Sequence, residues 1–313
     1  MTLSLLTNSR RGVSLFQSAS RSLSRTVQKN QPDRDPTGNG GIGGSMVNEA
    51  EHSQTNGRRT EQVETTHFGF QDIPVNEKSD RVRGVFANVA ENYDLMNDLM
   101  SGGMHRRWKA SFVKSLGATP DMKIIDVAGG TGDISFRILD DIKQIGALES
   151  PIKVLDPSVP MLEVGRRRAS ELNYAGQVEF EIDDAEELST VADDSVDAYL
   201  ISFGMRNVTN PAKALQQALR VLRRGGRFMM LEFAKVDNPI GEQLYDAYSV
   251  NLIPSMGEAV TGDRASYTYL VESIRRFPGQ EEFGAMMEEA GFRSVQKENL
   301  SFGVVCQYSG FKL

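Results

Sequence analysis

The sequence predicts an α/β fold: a mostly parallel sheet of seven strands, wrapped by helices on both faces and finished by an antiparallel edge. Three observations predict it. Short apolar runs alternate with amphipathic stretches from about residue 120 onward. The first run ends in a glycine turn, Gly129-Gly130-Thr131-Gly132, the kind of turn that lets a ligand approach a strand-to-helix junction. The chain closes with a helical stretch at 280–290 and two strand-like segments near 292–299 and 301–311.

Each element has its own signal. Ser79-Asp80-Arg81-Val82 opens a helix with Val82, Val85, Phe86, Val89 and Tyr93 at helical spacing. Met122 to Val127 is the first strand, and Ile134, Phe136, Ile138 and Leu139 continue as a helix. Ile152 to Leu155 is the second strand, closed by Asp156-Pro157, and Met161, Leu162 and Val164 belong to the helix after it. Val178 to Ile182 alternates as the third strand. Val196 to Phe203 is the fourth, and Pro211 opens a helix at a position where its missing N–H is harmless. Arg227 to Phe233 is the fifth, after the turn Arg224-Gly225-Gly226. Residues 236–278 interrupt this rhythm with helical, Tyr- and Met-rich sequence.

Composition bounds the function. With 313 residues, 39% of them hydrophobic, the chain can bury a core without staples. One cysteine, Cys306, excludes an internal disulfide and reads as a small buried hydrophobe. Net charge is −7, and residues 1–32 hold five basic and no acidic residues, so residues 33–313 carry −12. So acidic a body argues against nucleic acid as a partner. No apolar run approaches the roughly 18 residues of a spanning helix. Residues 1–32, rich in Arg and Ser, are expected to be a mitochondrial transit peptide. Residues 33–62, rich in Gly, are expected to be a flexible linker, and 63–313 the globular domain. No metal-ligand spacing is present, so no metal is expected, and Gly-x-Ser-x-Gly is absent.

The strongest chemistry lies in Asp126 and the turn Gly129, Gly130, Thr131 and Gly132. The dinucleotide pattern wants a third glycine where this chain has Ser135, and Asp133 places a negative charge at the helix start. Asp156 ends the second strand, Asp184 and Ala185 follow the third, and Ser202 ends the fourth. All lie at carboxyl ends of strands, where open α/β sheets bind ligands. Such a carboxylate-lined pocket suits a cation such as S-adenosylmethionine and repels a diphosphate. Asp156 is the candidate for the ribose hydroxyls.

Two long stretches are more specific. Tyr93-Asp94-Leu95-Met96-Asn97-Asp98-Leu99-Met100-Ser101 with His105-Arg106-Arg107-Trp108-Lys109, and Arg220 to Phe228 with Leu231-Glu232-Phe233, resemble the ubiquinone/menaquinone biosynthesis C-methyltransferases. Ser202 to Val208 and Arg276-Phe277-Pro278 also look like motifs of that family, and the likeness runs from about Phe68 to the C-terminus. The resemblance implies a Rossmann-like class I S-adenosylmethionine-dependent methyltransferase fold over 63–313. It implies C-methylation of a 2-methoxy-6-polyprenyl-1,4-benzoquinol in coenzyme Q biosynthesis. It also implies Thr131, Asp156, Asp184, Ala185 and Ser202 as cofactor contacts, and Arg206 and Asn207 at the reacting ring. A coenzyme Q biosynthetic multi-subunit complex, peripheral contact with the matrix side of the mitochondrial inner membrane, and a homodimer are further implications.

A quinol carbon becomes nucleophilic when a ring hydroxyl, with a pKa near about 10, loses or shares its proton. Arg206 is the candidate to stabilise the oxyanion, Asn207 to orient it, and His105 or a water to take the proton. Residues 93–109 are expected to cover the pocket, with Tyr93 at the substrate. Residues 236–278 are expected to form the acceptor or lid region, with Tyr245, Tyr248, Leu252, Ile253, Met256, Tyr267, Tyr269 and Leu270 as candidate channel residues. The alternatives are a demethylmenaquinol-type or other small-molecule methyltransferase, an NAD-dependent oxidoreductase, and a largely structural subunit of a biosynthetic complex.

Overall fold

The computed structural model describes residues 64–236, 248–250, 252–259 and 262–313. The expected transit peptide and the whole of the expected linker lie outside the described residues.

Seven strands form one sheet: β3 (Ile124–Val127), β4 (Ile152–Leu155), β5 (Val178–Glu181), β6 (Val196–Ser202), β7 (Leu222–Phe233), β8 (Arg293–Leu300) and β9 (Val305–Phe311). Their spatial order is β5-β4-β3-β6-β7-β9-β8. β3 to β7 pair in parallel, and β9 runs antiparallel to both β7 and β8. The order reverses between β3 and β6, the switch point at which an open parallel sheet leaves a crevice at its carboxyl ends.

Burial on both faces explains why β3, β4, β6 and the second half of β7 read as continuous apolar runs. Ile124, Leu200 and Met229 point into one core, with Trp108, Phe112 and Leu116 of α3 (Met104–Leu116) and Ile138 and Leu139 of α4 (Asp133–Ile142). Ile125, Ile201 and Met230 point the other way, against Leu215 and Ala218 of α6 (Pro211–Val221) and Phe283 and Met287 of α8 (Gln280–Ala290). The remaining helices are α1 (Val75–Val89), α2 (Tyr93–Ser101), α5 (Val159–Glu171) and α7 (Arg264–Arg276), with further helical residues at 248–250 and 252–259.

Three boundaries differ from expectation by four or five residues. α1 begins at Val75 rather than near Ser79, because Pro74 ends a preceding hairpin and hands an extended backbone to the helix. That hairpin, β1 (Thr65–Phe68) and β2 (Gln71–Pro74), was not foreseen from sequence. β7 begins at Leu222, five residues before the expected Arg227: Leu222 pairs with Val196, and the register shifts across the turn before Arg227 pairs with Ala198. β9 begins at Val305, because Ser301 to Gly303 form a tight turn instead of strand.

Candidate active site

A cavity opens at the carboxyl ends of β3, β4 and β6. Its wall includes Asp126, Gly129, Gly130, Thr131, Asp156, Asp184, Ala185 and Ser202, and also Asn207 and Tyr93. Gly132, the other expected contact, is not among the lining residues; it caps the N-terminus of α4 in a left-handed conformation with φ 78°. The loops here are tight. A Cβ on Gly130 would come within 2.8 Å of Met161 Cε, and one on Gly204 within 2.6 Å of the Ala128 Cβ. Ala128 (φ 51°) and Phe203 (φ 57°), each just past a strand end, are held left-handed, a strain that the packed turns must hold in place.

The carboxylates are not equivalent. Asp126 is fully buried. Its Oδ2 accepts from the Ser135 hydroxyl at 2.8 Å, while Oδ1 is buried without a partner. Burial pushes its carboxyl up to about 7. Asp156 accepts from Gly130 N at 3.0 Å and Ser158 N at 2.8 Å, and burial still pushes it up to about 6. Asp184 is half-buried and accepts from Glu186 N at 2.8 Å. Asp183 faces its own loop, accepting from Ser189, from both Thr190 donors and from Asp184 N, so it shapes the wall without joining it. Ser202 Oγ is buried and unpartnered.

Asp133 corrects the sequence argument. Its charge was set against an anionic ligand, yet Lys109 Nζ meets Oδ2 at 2.9 Å and Arg137 Nε meets Oδ1 at 3.1 Å. Despite its burial, these cations hold its carboxyl well below the usual range. The wall carboxyls that disfavour a diphosphate are therefore Asp156, Asp184 and Glu186, while burial holds Asp126 nearer its neutral form.

Arg206 and Asn207 part company. Arg206 is 4% exposed and stands behind the wall rather than on it. Its Nη1 donates to Glu232 Oε1 at 2.8 Å and to the Phe203 carbonyl at 2.5 Å, and its backbone N donates to Glu232 Oε2 at 3.2 Å. Glu232 is fully buried, so this ion pair fixes the turn Met205–Asn207. Asn207 does reach the cavity, and its Oδ1 accepts from the Tyr269 hydroxyl at 3.1 Å. The turn presents the neighbour, not the arginine, because the guanidinium is committed to the buried glutamate.

His105 does not reach the cavity either. Its Nε2 lies 2.8 Å from Asp98 Oδ1, Nδ1 is buried without a partner, and burial lowers its pKa. The expected proton acceptor is thus a buried imidazole at the α2–α3 turn.

In the acceptor region, Tyr248 donates to the Met100 carbonyl at 3.2 Å, and Met256 is half-buried; neither lines the cavity. Ile253, Tyr267 and Leu270 pack in the core, Leu252 is exposed, and Tyr245 lies outside the described residues. Of the set, Tyr269 meets the cavity wall, through the bond of its hydroxyl to Asn207. The apolar lining comes instead from α1, through Val82 and Phe86, and from Met161 and Phe203. Sequence periodicity had assigned Val82 and Phe86 to a helix face without showing that the face covers a ligand. Lys109 was legible only as part of a basic stretch.

A sequence model described as the ubiE/COQ5 methyltransferase family matches residues 75–312. The ubiquinone/menaquinone biosynthesis C-methyltransferase UbiE of Roseobacter denitrificans is 51% identical over 249 residues, covering 80% of this chain and 97% of the relative. The mitochondrial 2-methoxy-6-polyprenyl-1,4-benzoquinol methylase of Oryza sativa is 50% identical over 261 residues, covering 79% of this chain and 88% of the relative. The Xenopus laevis protein of that name is 46% identical over 278 residues, covering 79% and 89%. Among solved structures, a SAM-dependent methyltransferase from Thermotoga maritima aligns at TM-score 0.50 and 21% identity, covering 74% of this chain and all of that one. The [4+2]-cyclase SpnF aligns at TM-score 0.51 and 19% identity, covering 72% and 77%. A cyclase on the same scaffold means that these two structural likenesses speak for the class I methyltransferase fold and not for a reaction. The match along residues 75–312 and the identity near one half do speak to the family: this chain belongs to the ubiE/COQ5 methyltransferase family.

Proposed function

We propose that this chain transfers a methyl group from S-adenosylmethionine to a ring carbon of 2-methoxy-6-polyprenyl-1,4-benzoquinol, in ubiquinone biosynthesis. As a member of its family it is an S-adenosylmethionine-dependent C-methyltransferase. The observation that carries the cofactor reading is the acidic cavity itself. Burial raises the Asp126 and Asp156 carboxyls, so that a cationic ligand would favour their charged forms, and Asp126 Oδ1 and Ser202 Oγ are buried polar atoms with no partner. A nucleoside sulfonium with an ammonium group fits those vacant valences; a diphosphate does not. Asp156 would hold the ribose, Asp184 and Ala185 the adenine end, and Gly129 to Gly132 the backbone approach.

When bound, the cofactor supplies an electrophilic methyl on a cationic sulfur. The chain's own part is to orient and activate the acceptor. Because Tyr269 takes the Asn207 carbonyl, Asn207 offers its N–H to the cavity, where it can bond a ring oxygen and favour the phenolate. The Arg206–Glu232 pair holds that turn from behind. Tyr93, Val82, Phe86 and Phe203 supply an apolar surface for a substituted ring and keep water from it.

No described helix is long and apolar enough to cross a membrane, and relatives named as mitochondrial exist. With the acid-free, Arg-rich start, this supports import into mitochondria. A prenylated substrate supports peripheral contact with the matrix side of the inner membrane, and the proposal extends to membership of the coenzyme Q biosynthetic complex and to a homodimer. Import and processing by isolated mitochondria test the location.

The reaction is tested with the purified chain, S-adenosylmethionine and short-tailed demethyl benzoquinol and naphthoquinol analogues, following mass gain on ring carbon. Methylation of the benzoquinol is expected. A folded chain that binds the cofactor but methylates neither ring, or prefers the naphthoquinol, overturns the assignment.

A further inference from the structure

Beside the glycine turn the acidic cavity holds one buried cation. Of the described residues on its wall, Arg83 is exposed on α1 and paired with Asp80, whereas Lys109 is 4% exposed. Lys109 donates to Asp133 Oδ2 at 2.9 Å, which uses one of three N–H groups. Asp133 also takes Arg137 on its other oxygen at 3.1 Å. The trio is one carboxylate against two cations and so carries an excess positive charge. Lys109 is the buried one of the two cations and keeps N–H capacity for a further anion, whereas Arg137 is partly solvated. On the same wall, Asp126 Oδ1 is buried with no partner. A free carboxylate oxygen and an over-supplied ammonium at one turn form the complement of an amino-acid zwitterion.

We infer that Lys109 binds the α-carboxylate of the cofactor's methionyl moiety, with Asp126 on the α-ammonium side. The assignment rests on the S-adenosylmethionine reading above and goes further by naming the residue that selects an intact amino-acid end. It also explains a lysine that has no need to be buried for stability: Asp133 would keep Arg137 as its partner without it.

The test is calorimetric and needs no turnover. The full chain, Lys109→Met, and a double variant Lys109→Met/Asp133→Asn are titrated with S-adenosylmethionine and with decarboxylated S-adenosylmethionine. The double variant removes anion and cation together and guards against misfolding from an unbalanced charge. The wild-type chain is expected to prefer the carboxylate-bearing ligand by about tenfold to a hundredfold, the range of a charge-assisted hydrogen bond. Both variants are expected to lose that preference by binding S-adenosylmethionine more weakly, with the decarboxylated ligand bound no more weakly than before. Equal binding of the two ligands by the wild-type chain, or an equal loss for both in the folded variants, overturns the role of Lys109 and leaves the cofactor reading standing. Binding of neither ligand by the folded wild-type chain overturns the cofactor reading, and this assignment with it.

Discussion

Tyr269 and Asn207 are 62 positions apart, yet one hydrogen bond of 3.1 Å joins them at the cavity. Tyr269→Phe keeps the stack on Phe68, whose ring centroid lies 4.3 Å away, and removes only the hydroxyl. Losing one aimed donor or its orientation is expected to lower kcat about tenfold or more, with the Kd for S-adenosylmethionine and the thermal midpoint unchanged. Steady-state kinetics beside calorimetry check this, and an unchanged kcat removes Tyr269 from the mechanism. Arg206→Ala belongs to a different class. It strands Glu232, fully buried, without its cation. The expected loss is about 3–5 kcal/mol of stability, read by chemical denaturation, so a fall in activity alone is uninformative for this variant. The acids of the cavity were legible in sequence because strand ends are marked by composition, and the sheet brings strand ends together. Lys109 was not. It lies four residues after His105, on the same face of α3, so helix phase identified the buried face but not which turn of it meets the ligand. That depended on Asp98 reaching His105 and Asp133 reaching Lys109, contacts set by the tertiary fold.

Elements with a strong local signal fell where their sequence put them. The Asn210 side chain accepts from Lys213 N, and Pro211 follows at the first position of α6. The hairpin β1–β2 had no such signal: four-residue strands with mixed burial give little alternation to read, and what holds them is distant. Phe70 N donates to Glu272 Oε2 at 3.1 Å, and Phe68 stacks on Tyr269, both partners lying on α7. The hairpin thus braces the helix that supplies the Tyr269 hydroxyl. Phe68→Ala is expected to cost about 1 kcal/mol from the lost ring pair, beyond its area burial. It should also lower kcat in the same direction as Tyr269→Phe but less far. Thermal unfolding and kinetics check both, and a destabilised variant with unaltered kcat would separate the hairpin from the site. The acceptor region shows the opposite failure. Its aromatic and Met-rich composition suggested a channel, but composition does not distinguish a ligand-facing ring from a core ring, and Tyr267 and Leu270 are core.

Across the whole molecule, the site is tied to the stability of the chain through protons. Asp126 and Asp156 titrate near 7 and 6 in the fold, above the usual carboxylate range, because burial disfavours their charged forms. The sign follows from the direction. A carboxyl raised on folding contributes stability that is full below its unfolded pKa and is lost as pH rises through the folded value. These two groups therefore weaken the ligand-free chain progressively between about pH 4 and 7. A bound cation reverses the balance, since it favours the carboxylates that burial opposes. Cofactor binding should then release protons and tighten as pH rises from 5.5 to 8. The increase in thermal midpoint on adding saturating S-adenosylmethionine should be larger at pH 8 than at 5.5. Calorimetry in buffers of different ionisation enthalpy counts the protons directly. A thermal shift that is equal at the two pH values, with no proton release, would mean that the buried carboxylates do not face the cofactor's positive charge, and the polarity argued for the cavity would have to be abandoned.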